Sequence, residues 1–351
     1  MNRDMLKNFL RDMIRARVFE ERAAEEYSKG NIAGFLHLYP GEEAVAIGVL
    51  HASDLDDYIV TTFREHIHAI VRGVPANLVM AELFGRKDGI SSGMGGSMHL
   101  FNKERRFLGG YAIVGETYPV AIGAAYAIAM RKEKDAVICF FGDGAVNQGT
   151  FHESLNMAKL WNLPILFVCE NNHYQIGTEI HRHSAVVDVF ERACAYKIPA
   201  VQVDGMDVFK VYEETRRALK FIHQGDGPQF IECQTYRFRG HSMSDPGFYR
   251  PKVEVKEYEQ LDPIDIFTKH INEAYMPTKE EMAQAGPDPI ETLSQAGFDE
   301  GHTTEEEVDA IRKAAEDEVE EAVKFALSSP EPEMKDLYNI MNAGSKKEKL
   351  I

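Results

Sequence analysis

Asp143 and Asn172 carry the first chemistry legible in the chain. A carboxylate, an amide oxygen and a nearby backbone carbonyl are hard oxygen donors, suited to Mg²⁺ or Ca²⁺ rather than zinc. Mg²⁺ takes few protein ligands and fills its shell from phosphate oxygens and water. Gly144 and Ala145 follow the aspartate and are expected to open a helix, whose free backbone N–H groups favour an anion. A metal held by Asp143 and Asn172 beside such a helix start is a diphosphate site. GDG alone reads equally as a turn with an Asx cap. GDG followed by ENN, each at a strand end, is much more specific.

The flanking text supplies the elements that position this pair. Ala136 to Phe141 is an apolar run bounded by charge and glycine, the pattern of a strand buried on both faces. A helical pattern follows with Phe151, Leu155, Ala158 and Trp161 on one face. A second apolar run, Ile165 to Cys169, ends at Glu170, Asn171 and Asn172. Strand, helix and strand make a βαβ unit of about 30 residues. The chemistry of such a unit lies beyond the carboxyl ends of its strands, where Asp143 and Asn172 can meet. Upstream, Tyr58 to Thr62 predicts a short strand with Arg64 and His66 just past its end. A guanidinium can hold two phosphate oxygens in a planar fork. Either residue alone reads as a solvated charge or a core histidine.

The remaining text alternates strands and helices. Leu6, Leu10, Met13, Arg17 and Ala24 form a helical stripe, and Pro40–Gly41 turn into a second helix opened by Glu42 and Glu43, to which no chemistry is assigned. Gly85 to Gly96 predicts an irregular loop, read as a channel or interface loop, with a phosphate cradle as the alternative. LGGYAIVGETYPVAIGAAYAIAM predicts strand, turn and buried helix, its Gly123, Ala124, Ala125 and Ala127 allowing close packing. After strands at Val201–Val203 and Pro228–Tyr236 comes the loop RFRGHSMSDPGFYRP, whose Arg237, Arg239 and Arg250 add positive potential. Residues 276–304 read as an insertion of mixed helix and loop, followed by an amphipathic helix over Glu305 to Ala326 and an exposed tail, PEPEM to KKEKL.

Composition excludes several classes. A net charge of −17 argues against nucleic acid and against an anionic membrane surface. No apolar stretch reaches the ~18 residues of a membrane span. The cysteines Cys139, Cys169, Cys194 and Cys233 are isolated, as expected of free thiols in a reducing compartment. The N-terminal pattern has acids among its bases and no apolar signal region, so the chain is expected to stay in the cytoplasm.

The wider text GDGAVNQGTFHESLNMAKLWNLPILFVCENNHY resembles the alpha subunit of the 2-oxo-acid dehydrogenase decarboxylating component, of pyruvate dehydrogenase type. The resemblance runs from about Phe19 to about Tyr258. It implies an α/β fold, a mostly parallel sheet with helices on both faces in the thiamine-diphosphate-binding class, plus helical terminal segments. Residues 1–275 would form the cofactor-binding domain, and 276–351 its inserted link, final helix and tail. The cofactors implied are thiamine diphosphate and Mg²⁺, the metal held by Asp143, Asn172 and Tyr174. Gly144 and Ala145 flank the diphosphate. Arg64 matches the diphosphate clamp of an aromatic-Arg-x-His motif. Phe63 stands where tyrosine is usual, so one hydroxyl to the diphosphate is missing. Ala112 offers a carbonyl to the aminopyrimidine, and Val114 wedges under the bent cofactor. His66 reaches the active-site mouth, and His241 sits on a loop closing over the diphosphate end; both count as catalytic. The implied reaction is oxidative decarboxylation of a 2-oxo acid with acetyl transfer to a lipoyl acyltransferase. A beta subunit in an α₂β₂ assembly would supply the activating glutamate. The HSMSDP loop favours pyruvate; an acetoin or branched-chain enzyme and a non-catalytic scaffold paralogue are the alternatives.

Overall fold

The computed structural model describes residues 3–272 and 304–341. Its frame is a six-stranded sheet built from β1 (Tyr58–Thr62), β2 (Phe107–Tyr111), β3 (Val137–Gly142), β4 (Ile165–Asn171), β7 (Ala200–Asp204) and β8 (Gln229–Gln234). The strand order is β2-β1-β3-β4-β8-β7, and every neighbouring pair is parallel. β5 (Tyr174–Gln175) and β6 (Thr178–Glu179) form a small antiparallel hairpin beyond β4.

Successive side chains of a strand point to opposite faces, and here both faces are covered. Val137, Cys139 and Phe141 enter one core; Ile138 and Phe140 enter the other. The first core is closed by α5 (Thr117–Arg131), α6 (Gly149–Leu160) and α8 (Phe190–Cys194). The second is closed by α1 (Arg3–Ser28), α2 (Glu43–Ala52), α3 (His66–Val71), α4 (Ala76–Leu83), α9 (Val208–His223), α11 (Pro263–Asn272) and α12 (Glu305–Ser328). The short α7 (Ile180–His183) and α10 (Lys252–Glu259) flank the carboxyl edge, and α13 (Met334–Met341) ends the described chain. α12 packs on α1 and α4. Its start is set by a capping box between Thr304 and Glu307, and α9 is capped by Asp207 accepting from the amides of Phe209 and Lys210. Among the described residues no helix is long and apolar enough to cross a membrane.

Several expectations are corrected. α5 is not buried all round: Gly123 faces open space, and Tyr126 and Met130 are exposed. Trp161 caps the end of α6 and is 45% exposed rather than joining the buried face. β4 runs on through Glu170 and Asn171, because both find buried partners inside the fold. PEPEM leads into α13 rather than a free tail, and Lys87 ties that region down through Pro330 and Asp336. The inserted segment up to residue 303 and the KKEKL terminus lie outside the described residues.

Candidate functional site

The order of the strands locates the site. After β1 the chain crosses to β2 on one side, and after β3 it crosses to β4 on the other. The carboxyl ends of β1 and β3 therefore flank a switch point, where a crevice opens. Phe63 and Arg64 follow β1, Ala112 and Val114 follow β2, Asp143 follows β3, Asn172 follows β4, and the His241 loop follows β8. These residues thus come to one edge of the sheet.

One side of the crevice is positive. Arg64 is buried and donates to the carbonyls of Leu38 and His241. Its Nε lies 3.8 Å from Glu42 Oε2, too far for a hydrogen bond. Burial and the nearby charge of Arg237 pull its pKa down to about 10. Arg237 is buried too, donating to Ile176, Arg239 and Tyr249. The same desolvation and the same two guanidiniums hold His37 down to about 2 and His241 down to about 3, so both rings are neutral. Phe63 completes a ring cluster, 4.4 Å from His37 and 5.5 Å from His241. His37 and His241 each leave Nδ1 buried without a partner. Arg250 behaves differently: it lies over the rings of Tyr174, Tyr236 and Tyr249 and donates to the carbonyls of residues 237–239. It pins the loop, while Arg239 is exposed.

The other side is negative and unsatisfied. Asp143 is 1% exposed, and its Oδ2 has no hydrogen-bond partner. A buried carboxylate oxygen left in this state is costly unless a cation meets it. Gly142 of β3 pairs with Glu170 of β4, which sets Asp143 and Asn172 at adjacent strand ends. Asn172 donates to Glu42 Oε1 at 3.0 Å and accepts from the Tyr174 amide at 3.3 Å. The Tyr174 hydroxyl donates to Glu254 and is committed within the fold. Gly144 and Ala145 do not open a helix. They sit in a short 3₁₀ turn, Asp143–Asn147, and α6 begins only at Gly149. Arginines facing an orphaned carboxylate across one crevice suit a diphosphate that brings its own divalent cation.

His66 is not at the mouth. It is fully buried, with Nδ1 on Glu20 at 3.1 Å and Nε2 on Ser97 at 2.8 Å, so it props the β1 exit from beneath. Its neighbour Glu65 accepts from the Leu100 amide at 2.6 Å, and burial pushes its pKa well up. The Glu65 carboxyl lies flat on Gly110; a Cβ there would meet it at 2.0 Å, so only glycine fits. Ala112 and Val114 lie just beyond. Val114 is 43% exposed and Ile113 69%, an apolar lip open to solvent.

The glycine-rich loop is organised around Glu82, not around phosphate. The Glu82 carboxylate is buried and accepts four backbone N–H groups, from Ser91, Gly93, Gly95 and Gly96. Glu82→Gln puts an NH₂ against two of those donors. At about 1–3 kcal/mol for each unsatisfied group, the variant should lose about 2–6 kcal/mol in chemical denaturation. A wild-type midpoint would show that the loop does not depend on this carboxylate.

Sequence reasoning missed Glu42, which bridges Arg64 and Asn172, and His37. It also missed Glu170, which accepts from Tyr39 and stands 3.3 Å from His68. Of these, only Glu42 carried a signal, as an acid at a helix start with no basic neighbour.

Comparison with known proteins shows the family of the chain. The family model of the dehydrogenase E1 component matches residues 11–285 and 273–335. The chain is 41% identical over 339 residues to the pyruvate dehydrogenase E1 component subunit alpha of Porphyra purpurea, covering 95% of this chain and 91% of that one. It is 42% identical over 335 residues to the protein of the same name from Rhizobium meliloti, covering 95% and 89%. The alpha-3 chloroplastic subunit of Oryza sativa is 42% identical over 330 residues, with 92% and 72% covered.

Proposed function

The chain belongs to the dehydrogenase E1 component family, and from that premise we propose that it is the alpha subunit of a thiamine-diphosphate- and Mg²⁺-dependent pyruvate dehydrogenase. The observation that carries the reading is the paired charge of the crevice: buried Arg64 and Arg237 opposite the unpartnered Asp143 Oδ2. When bound, the cofactor supplies the nucleophilic carbon and electron sink for decarboxylating a 2-oxo acid. Arg64 holds phosphate oxygens, and Asp143, Asn172 and the main chain of Tyr174 hold Mg²⁺. Ala112 and Val114 receive the pyrimidine end. His241, neutral and loop-borne, offers a hydrogen-bonding ring at the phosphate end, with His37 behind it. His66 acts as a positioning residue.

Partners follow from what is left uncovered. Ile113 and Val114 at the mouth are exposed, as are Tyr126, Met130, Leu160 and Trp161 along α5 and α6. The Tyr126 and Trp161 rings pack 5.3 Å apart, making a continuous apolar surface of the kind that marks a subunit contact. A beta subunit is the occupant this reading assigns, in an α₂β₂ assembly that passes acetyl groups to a lipoyl acyltransferase. We read residues 1–275 as one cofactor-binding domain and 276–351 as its extension, supported by the packing of α12 on α1 and α4. Four free cysteines suit a reducing compartment, and the cytoplasm is our assignment.

The test is co-expression with the beta subunit, then turnover of pyruvate, branched-chain 2-oxo acids and acetoin. Pyruvate should dominate; preference for another substrate overturns the assignment. Phe63→Tyr probes the same site. A restored hydrogen bond nets about 0.5–1.5 kcal/mol, so calorimetry should give up to about tenfold tighter thiamine diphosphate. Weaker binding would mean that the His37–Phe63–His241 rings are packed around phenylalanine.

A further inference from the structure

Asp143 Oδ2 is not the only orphan at its strand end. His183 Nε2, at the end of α7, is also buried without a hydrogen-bond partner, and the two atoms face each other at 3.6 Å. The ring is oriented by neighbours further out. Arg192 Nη1 donates to Asn147 Oδ1 at 2.8 Å, and a guanidinium can only donate. The Asn147 amide is therefore oriented, and its Nδ2 is the atom 3.2 Å from His183 Nδ1. An NH₂ only donates, and this one is shared among His183 Nδ1, the His183 carbonyl at 3.2 Å and Ser184 Oγ at 3.3 Å, while the Ser184 hydroxyl stands 3.0 Å from Nδ1. With Nδ1 turned toward Asn147 and Ser184, Nε2 is the ring nitrogen that faces the carboxylate, and as a donor it would complete the pair. Closing by roughly half an ångström turns the contact into an ordinary N–H···O bond.

We propose that His183 is a positioning residue for the metal-binding carboxylate: the chain Arg192–Asn147–His183 presents an Nε2–H that holds Asp143 Oδ2 and so fixes the orientation in which Asp143 meets its cation. The inference rests on the metal–diphosphate reading of Asp143. Outer partners of this kind orient ligands and typically contribute 10–100-fold to metal affinity. Asn147 and Arg192 reach the site from outside, and Asn147 is exposed, so the relay can be cut without opening the core.

The experiment is calorimetric titration of Mg²⁺ into the full chain with its beta subunit at saturating thiamine diphosphate. His183→Ala should weaken Mg²⁺ about 10–100-fold, and His183→Gln, which keeps an N–H donor, should recover most of it. Asn147→Ala should weaken Mg²⁺ less. The double variant Asn147→Ala/His183→Ala should bind no worse than His183→Ala alone, since both act through one bond. Wild-type Mg²⁺ affinity in His183→Ala, with affinity lost in Asp143→Asn, overturns the relay and leaves the metal reading intact. Affinity kept in Asp143→Asn overturns both. Full additivity of the two relay substitutions also overturns it, because each would then be acting independently.

Discussion

Purified without a beta subunit, the chain should not decarboxylate pyruvate measurably, even with saturating thiamine diphosphate and Mg²⁺. The reason lies in which half of the site it carries. On the reading proposed above, Arg64, Arg237, Asp143 and Asn172, all buried, serve the phosphate end. The pyrimidine end is bounded by Ala112 and Val114, with Ile113 and Val114 open to solvent. Activation there needs a positioned acid–base group, worth typically 10²–10⁴-fold, besides exclusion of water. Glu65 cannot serve, because its carboxyl is sealed between Leu100 and Gly110. Glu116, at the start of α5, is the nearest remaining carboxylate in sequence. Addition of the beta subunit should therefore create activity rather than raise it. The measurement is pyruvate turnover with an artificial electron acceptor, with and without beta. A rate for the lone chain close to that of the complex, removed by Glu116→Gln, would mean that the site is not shared.

The sheet was legible because its strands are apolar runs punctuated by charge and glycine. Val137 to Phe141 and Ile165 to Cys169 needed only local pattern, while Glu170 and Asn171 join β4 through buried partners. Strand-end positions then carried Asp143, Asn172 and Arg64 to one crevice. What stayed hidden is what depends on distant partners. Glu42 and Asn172 are 130 residues apart, and Arg64 and the His241 carbonyl 177 apart. Nothing in GEEAVAIG says that its first glutamate will be buried against an asparagine. His66 misled, and the phosphate-cradle alternative for the glycine-rich loop fell, for a related reason. A histidine at a strand end and glycines in a loop look like site material, and only the positions of Glu20, Ser97 and the Glu82 carboxylate show that both are held from within. α5 misled in the other direction: its small residues suggested tight packing, yet Gly123 has nothing within 4 Å. A helix that is apolar all round is buried in something, and the reading proposed above gives the exposed side of α5 to the beta subunit.

Asp143→Asn and Asn172→Ala should each abolish Mg²⁺-dependent binding of thiamine diphosphate, but they should part company in the cofactor-free protein. Asp143 supplies a charged ligand, so its loss should exceed the 10–100-fold typical of residues that only support one. Without cofactor, its Oδ2 makes no hydrogen bond, with His183 Nε2 standing off at 3.6 Å, and a buried charge without its cation lowers stability. Asp143→Asn should therefore melt no earlier than wild type when both are free of cofactor. Asn172 is different, because its amide donates to Glu42 Oε1 and its oxygen accepts from the Tyr174 amide. Alanine strands both, and each group left unsatisfied costs about 1–3 kcal/mol, so Asn172→Ala should be less stable even when empty. Ligand that binds only the folded state adds RT ln(1 + [L]/Kd), about 2.7 kcal/mol at a hundredfold excess over Kd. Wild type should gain that increment on addition of Mg²⁺ and thiamine diphosphate, and neither variant should. Thermal melts of the assembled protein with and without the pair, alongside calorimetry, separate the cases. Undiminished cofactor affinity in both variants would remove the metal from this site. An empty Asp143→Asn protein clearly less stable than wild type would mean that the carboxylate serves the fold itself, through a partner other than a cation.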